Sequence, residues 1–137
     1  MQELLTGIAE TCLYATNLDE AEEFYSEILK LEVVMKEKDR HVFFKCGDGM
    51  LLVFNPDHTR NKQTDVDGEP VPLHGASGSV HVAFSVEPDT FEDVKEYLKE
   101  NDITIESEIS WPNHSRSFYF RDPAGNSLEV ITSDMWK

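Results

Sequence analysis

Cysteine is scarce in this chain. Of 137 residues only Cys12 and Cys46 carry thiols, and they follow no metal-ligand spacing, so neither a disulfide framework nor a thiolate zinc site is expected; free thiols in a reducing compartment fit better. Basic residues are also few, 12 Lys and Arg against 27 Asp and Glu, a formal net charge of −15. A nucleic acid or an anionic membrane surface needs clustered Lys and Arg, so neither is an expected partner. No apolar run has the length of a membrane span and no signal-peptide pattern opens the sequence, which makes a cytoplasmic location the expectation.

What is present is one domain's worth of chain, 39% hydrophobic, enough for a real core. The most informative stretch runs from Ser117 to Thr132. An aromatic strand, Ser117-Phe118-Tyr119-Phe120-Arg121, leads into the turn Asp122-Pro123-Ala124-Gly125-Asn126, and a second strand leaves it. That strand carries a carboxylate, Glu129, among apolar neighbours. A buried carboxylate is costly unless something positive pairs with it, and with so few cations in the chain a metal ion is a candidate partner.

The same unit occurs twice. Glu10 to Ala15 reads as a strand, Asn17-Leu18-Asp19-Glu20 as a capping box, and Ala21, Phe24, Tyr25 and Ile28 as one helix face at i, i+3, i+4, i+7. Strands are predicted around 32–36, 40–46 and 50–54. In the second half His81 to Val86 is a strand, Asp89-Thr90-Phe91-Glu92 repeats the capping box, and Phe91, Val94 and Leu98 form the helix face. Strands are predicted around 103–108, 116–121 and 127–131. The order is βαβββ twice, with the caps 72 residues apart and Arg40 and Arg116 76 apart. This predicts an α+β fold of two βαβββ modules, about 6–56 and 79–133, with helices on one face. Residues 55–79, rich in polar residues, Gly and Pro, read as an irregular loop or lid.

Superposing the repeats without gaps places Glu10 and His81 at equivalent strand starts and Glu129 opposite Val53. Glu10, His81 and Glu129 thus offer two carboxylates and an imidazole for one divalent ion with open positions, of the Mn, Ni, Zn or Fe(II) type. The fourth position is apolar, whether Val53 or Leu51 is taken. His74 on the loop is the candidate general base. Tyr119 and Arg116 are candidates to position an anionic substrate, and Cys12, Phe54 and Trp111 to line its pocket.

The pattern resembles the vicinal oxygen chelate superfamily, also called the glyoxalase/bleomycin resistance/dioxygenase fold. The resemblance is carried by Glu10-Thr11-Cys12-Leu13-Tyr14, by Asn17-Leu18 through Glu23-Phe24-Tyr25, by His81-Val82-Ala83-Phe84, and most specifically by Tyr119 through Glu129. It implies two modules curving around one metal site in a mixed sheet. It further implies a homodimer in which Glu10 of one chain joins His81 and Glu129 of the other. A metal-dependent small-molecule enzyme follows, with the ion chelating an oxygen-rich substrate; lyase, isomerase, thiol transferase and dioxygenase stay open, since one fold hosts many chemistries. Glu10 stands where many members have His. The alternative is a metal-free, bleomycin-resistance-like protein that sequesters a cationic aromatic compound, which the acidity and the eight Phe, four Tyr and two Trp would suit.

Overall fold

Strand alternation decides the architecture. In the computed structural model, which describes residues 4–137, the chain divides into two compact units, one ending at Ser77 and one starting at Gly78. The first contains β1 (Glu10–Tyr14), α1 (Leu18–Glu23), β2 (Glu32–Glu37), β3 (His41–Cys46) and β4 (Gly49–Phe54). Its sheet has the order β1-β4-β3-β2, with β1 parallel to β4 and the other pairs antiparallel. Leu13, Leu51, Val53, Val42 and Phe44 are each at most 2% exposed. They alternate with Glu10, Cys12, Tyr14, Leu52 and Phe54, so one side of the sheet is core, and the other carries Glu10 and Cys12 exposed beside the covered Leu52 and Phe54.

The helix begins as its sequence dictates. The Asn17 side chain accepts the Glu20 N–H at 3.0 Å, satisfying one of the unpaired first-turn donors. Beyond Glu23 the coil widens to a π turn through Ile28, closed by Leu29 N–H donating to the Phe24 carbonyl at 3.1 Å. Ala21, Phe24 and Tyr25 are buried, and Tyr25 meets Phe44 with ring centroids 5.4 Å apart.

Residues 55–79 are only partly the irregular loop expected: 72–79 lie outside any helix or strand, but a short helix and a short hairpin precede them. Asn55 caps a short helix, α2 (Pro56–Thr59), and β5 (Thr64–Val66) pairs antiparallel with β6 (Glu69–Val71). Asp67 and Gly68 between them have φ of 51° and 87°, the positive values that Asp-Gly hairpin turns adopt. The polar composition belongs to a hairpin too small to bury anything.

The second unit contains β7 (His81–Val86), α3 (Phe91–Glu100), β8 (Ser107–Ser110), β9 (Arg116–Arg121) and β10 (Ser127–Thr132). Its order, β7-β10-β9-β8 with β7 parallel to β10, repeats that of the first. Phe118, Phe120, Leu128 and Val130 face Phe91 and Leu98 of α3, all at most 4% exposed. The fold is therefore the predicted α+β one, two four-stranded sheets with a helix each. Two local expectations fail. Pro88–Thr90 forms a 3-10 turn, α3 starts at Phe91, and no side chain caps it. The Thr90 hydroxyl instead donates to the Glu87 carbonyl at 3.0 Å, so the second capping box is not made. β8 starts at Ser107 rather than 103, because Ile103 N–H is taken by the Leu98 carbonyl at 3.0 Å as the helix closes.

On the helix side of this sheet Lys95 contacts Glu108 at 2.8 Å and Glu92 at 2.9 Å, and Arg116 contacts the same two carboxylates. Hydrogen bonds from Lys95 hold both carboxyls below their usual value of 4.5. A depressed carboxylate adds stability that is present above its unfolded pKa and lost as pH falls through the folded one. Thermal melts should thus show Glu108→Gln destabilised relative to wild type at pH 7, with the gap closing once pH drops below 4.5 and on toward 3. A gap independent of pH would overturn this account of the network.

Candidate metal and substrate site

The carboxylate picked out from sequence is buried as expected: Glu129 is 5% exposed. Register places Tyr119 directly opposite it across β9 and β10, and pairs Ser127 with His81 across β10 and β7. Tyr119, Glu129 and His81 thus share the sheet face turned away from α3. Among the described residues His81 alone stands within ion-pair distance of Glu129, with Nε2 3.2 Å from Oε1.

That contact has a definite proton problem. His81 Nδ1 lies 2.9 Å from the Ser127 carbonyl. A carbonyl only accepts, so Nδ1 must carry hydrogen. In a neutral ring Nε2 then presents a lone pair to a carboxylate oxygen, two acceptors face to face. A proton or a metal ion closes such a gap. The spacing suits an ion, since two adjacent ligand atoms about 2.1 Å from one metal stand roughly 3 Å apart. The outer contacts suit it too, because ligating histidines commonly donate their other N–H to a carbonyl. Tyr119 hydrogen-bonds Glu129, and burial, the Glu129 charge and this bond together push its hydroxyl up. It remains a protonated donor.

On the same face Trp111 Nε1 donates to the buried Ser117 hydroxyl at 2.8 Å, which fixes the indole, half-buried, beyond the end of β8. Arg116 is elsewhere. It shares parity with Phe118 and Phe120, so it lies on the helix side, its guanidinium 4.4 Å from the Phe91 ring centroid and held by Glu92 and Glu108. It is a structural charge, and the expectation that it positions substrate is corrected.

The first unit supplies the remaining candidates. Glu10 and Cys12 are exposed on β1, with Tyr14 next on the same face. Cys12 has its thiol pushed up, first by desolvation and then by Glu10, so it is a poor nucleophile and at most a pocket wall. Pairing of Glu10 with Met50 and Cys12 with Leu52, set beside His81 with Ser127 and Ala83 with Glu129, makes Leu52 the counterpart of Glu129. Val53 and Leu51 point to the core. The gapless superposition was one residue out, and the fourth position is still apolar. Phe54 is a hub: Tyr14, His41, Phe43 and His74 pack on it at centroid distances of 6.4, 5.8, 5.4 and 4.6 Å. His74 Nδ1 lies 2.8 Å from the Tyr14 hydroxyl, a pairing the sequence reading missed although Tyr14 follows Glu10 and Cys12 in the same alternation. Among the described residues no three His, Cys, Asp or Glu side chains of one chain gather as a metal site.

The Glyoxalase/Bleomycin resistance protein/Dioxygenase superfamily model matches residues 7–130. The chain belongs to that superfamily. Among solved structures it is similar to a lactoylglutathione lyase from Agrobacterium tumefaciens, 41% identical, with a TM-score of 0.90 over 98% of both chains. It is also similar to metallothiol transferase FosB of Staphylococcus haemolyticus (strain JCSC1435), 27% identical over 134 residues, 96% of this chain and 87% of the relative. An integron cassette protein from the Halifax Harbour sewage outfall, 22% identical with a TM-score of 0.74 over 93% of this chain and 99% of its own, shares the superfamily fold. No helix among the described residues of this superfamily member is long and apolar enough to cross a membrane.

Proposed function

We propose that this protein is a metal-dependent small-molecule enzyme of the lyase type, with His81 and Glu129 holding one divalent ion (Mn, Ni, Zn or Fe(II)). The observation that carries the reading is the buried Glu129, its Oε1 3.2 Å from His81 Nε2 while Nδ1 faces the Ser127 carbonyl. Glu10 is the third ligand, contributed by a second copy of the chain in a homodimer. Support for sharing is that no single chain gathers three such groups among the described residues. The relative called a lyase, at 41% identity over 98% of both chains, favours that class over the thiol transfer named for relatives at 27%.

The ion, when bound, supplies Lewis-acid chemistry to a substrate with two adjacent oxygens. The protein residues do the rest. The Ser127 carbonyl fixes the His81 ring, and Tyr119 orients the Glu129 carboxylate and keeps a hydroxyl proton available beside it. Trp111, pinned through Ser117, gives an apolar wall that limits water. His74 takes no part in proton transfer here. It sits at the Tyr14 end of β1, four residues and about 13 Å from Glu10, beyond reach of a group held there. No observation favours the metal-free binding protein.

The test is elemental mass spectrometry and light scattering on tag-free protein, followed by turnover of 2-oxoaldehyde–thiol adducts. About one divalent ion per chain and a two-chain mass are expected. Protein that stays metal-free after incubation with each candidate ion would sink the metal site, and a one-chain mass would sink the shared ligand.

A further inference from the structure

The turn into β3 brings the side chains of two consecutive residues together. Asp39 has φ of 67°, Arg40 N–H donates to the Glu37 carbonyl at 3.1 Å, and the Arg40 carbonyl accepts the Asn55 N–H at 2.8 Å. Arg40 thus precedes the alternation of β3, and its Nη1 reaches within 2.8 Å of His41 Nδ1. A guanidinium only donates and stays charged. Nδ1 must therefore present its lone pair, and the imidazole is neutral with its hydrogen on Nε2.

Both side chains are covered. His41 is 7% exposed and stacks on Phe43 with ring centroids 4.0 Å apart. The Arg40 guanidinium lies 5.5 Å from the Phe54 centroid, with Nη2 3.5 Å from Thr64 Oγ1 in β5 and Nε buried without a hydrogen-bond partner. Arg40 thus bridges the sheet to the β5–β6 hairpin. The charged groups acting on His41 are Arg40 from the turn, Glu37 directly opposite on β2, and His58 from α2; β4 presents the uncharged Phe54. Lys36, Lys38, Asp19, Glu22 and Asp39 line the cleft that His41 also borders, with Lys36 paired to Glu22 at 3.1 Å. Glu37 stands 3.9 Å from Arg40 Nε, so a proton on His41 leaves two adjacent cations and one carboxylate. Burial first, and then Arg40, holds His41 below its usual value of 6.5. The stability such a group adds is present above its unfolded pKa and is lost as pH falls through the folded one.

We propose that Arg40 and His41 form a pH-sensitive latch on the β5–β6 hairpin. The latch is closed while Arg40 donates to a neutral His41. It opens when a proton on Nδ1 turns His41 toward Glu37 and drives the guanidinium away from Phe54 and Thr64. The hairpin then loses its tie to the sheet, since two cations cannot share one hydrogen-bond axis and the imidazole has no second lone pair to offer. The device involves neither His81 nor Glu129 and does not depend on a bound ion.

The test is hydrogen–deuterium exchange of the full chain, read by mass spectrometry between about pH 5 and 8, beside imidazole nitrogen NMR of His41. After correction for the intrinsic pH dependence of exchange, peptides covering 60–71 should open at least about tenfold more on acidification, as loss of a charge-assisted hydrogen bond implies. The midpoint should fall below 6.5 and coincide with the titration of His41. Peptides from α3 should show no such step, because its ion pairs join groups that keep their charge over this range. His41→Gln keeps an acceptor for Arg40 and cannot titrate, so it should abolish the step. Arg40→Gln should exchange as fast at the alkaline end as wild type does at the acid end, and its His41 midpoint should rise toward the usual value. A wild-type hairpin without an acid step overturns the latch, as does a step retained in His41→Gln. So does a neutral His41 that carries its hydrogen on Nδ1, a measurement made on wild type alone and independent of how either variant folds.

Discussion

Glu129→Ala will lose the divalent ion. Removing an outer partner of a metal ligand costs roughly 10–100-fold in affinity, and removing one of the three proposed ligands costs more, so the variant should purify empty and bind added metal more than about 100-fold more weakly. The fold should survive, because a carboxylate only 5% exposed is itself expensive to keep buried. The losses on the protein side are the acceptor for Tyr119 and the contact with His81. Glu129→Gln separates the two effects: it keeps an acceptor beside Tyr119 and removes the charge. It should therefore lose the ion yet melt within a few degrees of ion-free wild type. Elemental mass spectrometry and calorimetric metal titration, read beside thermal melts, check both variants. Metal content equal to wild type in either one would remove Glu129 from the site and leave its burial to be explained by His81 alone.

The alternation of residues along the strands carried most of what could be read in advance. Glu10, Cys12 and Tyr14 opposed to Leu13, and Tyr119 opposed to Phe118 and Phe120, already separate a chemical face from a core face. The same rule applied to Arg116 would have put it with Phe118 on the helix side, where it lies; its assignment to the substrate ignored the parity of its own strand. The counterpart of Glu129 was misjudged for a different reason. A gapless superposition cannot see the unequal turns between strands, whereas the ladder pairing of Cys12 with Leu52 and of Ala83 with Glu129 sets the correspondence directly. The π turn at Phe24–Ile28 and the absent cap at Thr90 arise from tertiary packing and from Pro88, and local pattern does not encode them. The Asp67-Gly68 turn was legible, but a polar stretch obscured it. Least legible was the contact of Tyr14 with His74, since one comes from β1 and the other from the segment after β6, and only folding brings them together.

Asn126→Ala should be the most destabilising single change near the site. Asn126 is 1% exposed. Its Oδ1 accepts the Val80 N–H at 3.1 Å, its Nδ2 donates to Asp122 Oδ2 at 2.9 Å, and its own N–H donates to Asp122 Oδ1 at 2.9 Å. Gly125, with φ of 87°, lets the chain turn tightly enough to close this ring. Alanine keeps the backbone bond and deletes the other two, leaving a half-buried Val80 N–H without its acceptor and a buried carboxylate short of a donor. At about 1–3 kcal/mol for each group deprived of its partner, the loss is about 2–6 kcal/mol, or roughly 6–18 °C in melting temperature for a domain of this size. Denaturant titration measures it, and a loss below about 1 kcal/mol would show that the turn does not depend on the side chain. The consequence extends to chemistry. Val80 precedes His81, and Ser127 N–H donates to the Val80 carbonyl at 2.8 Å, so Asn126 helps hold the start of β7 in register with the strand that carries Glu129. Metal affinity measured well below the melting temperature should fall in Asn126→Ala even though every ligand is present, because the imidazole and the carboxylate are aligned by the pairing that this buried amide secures.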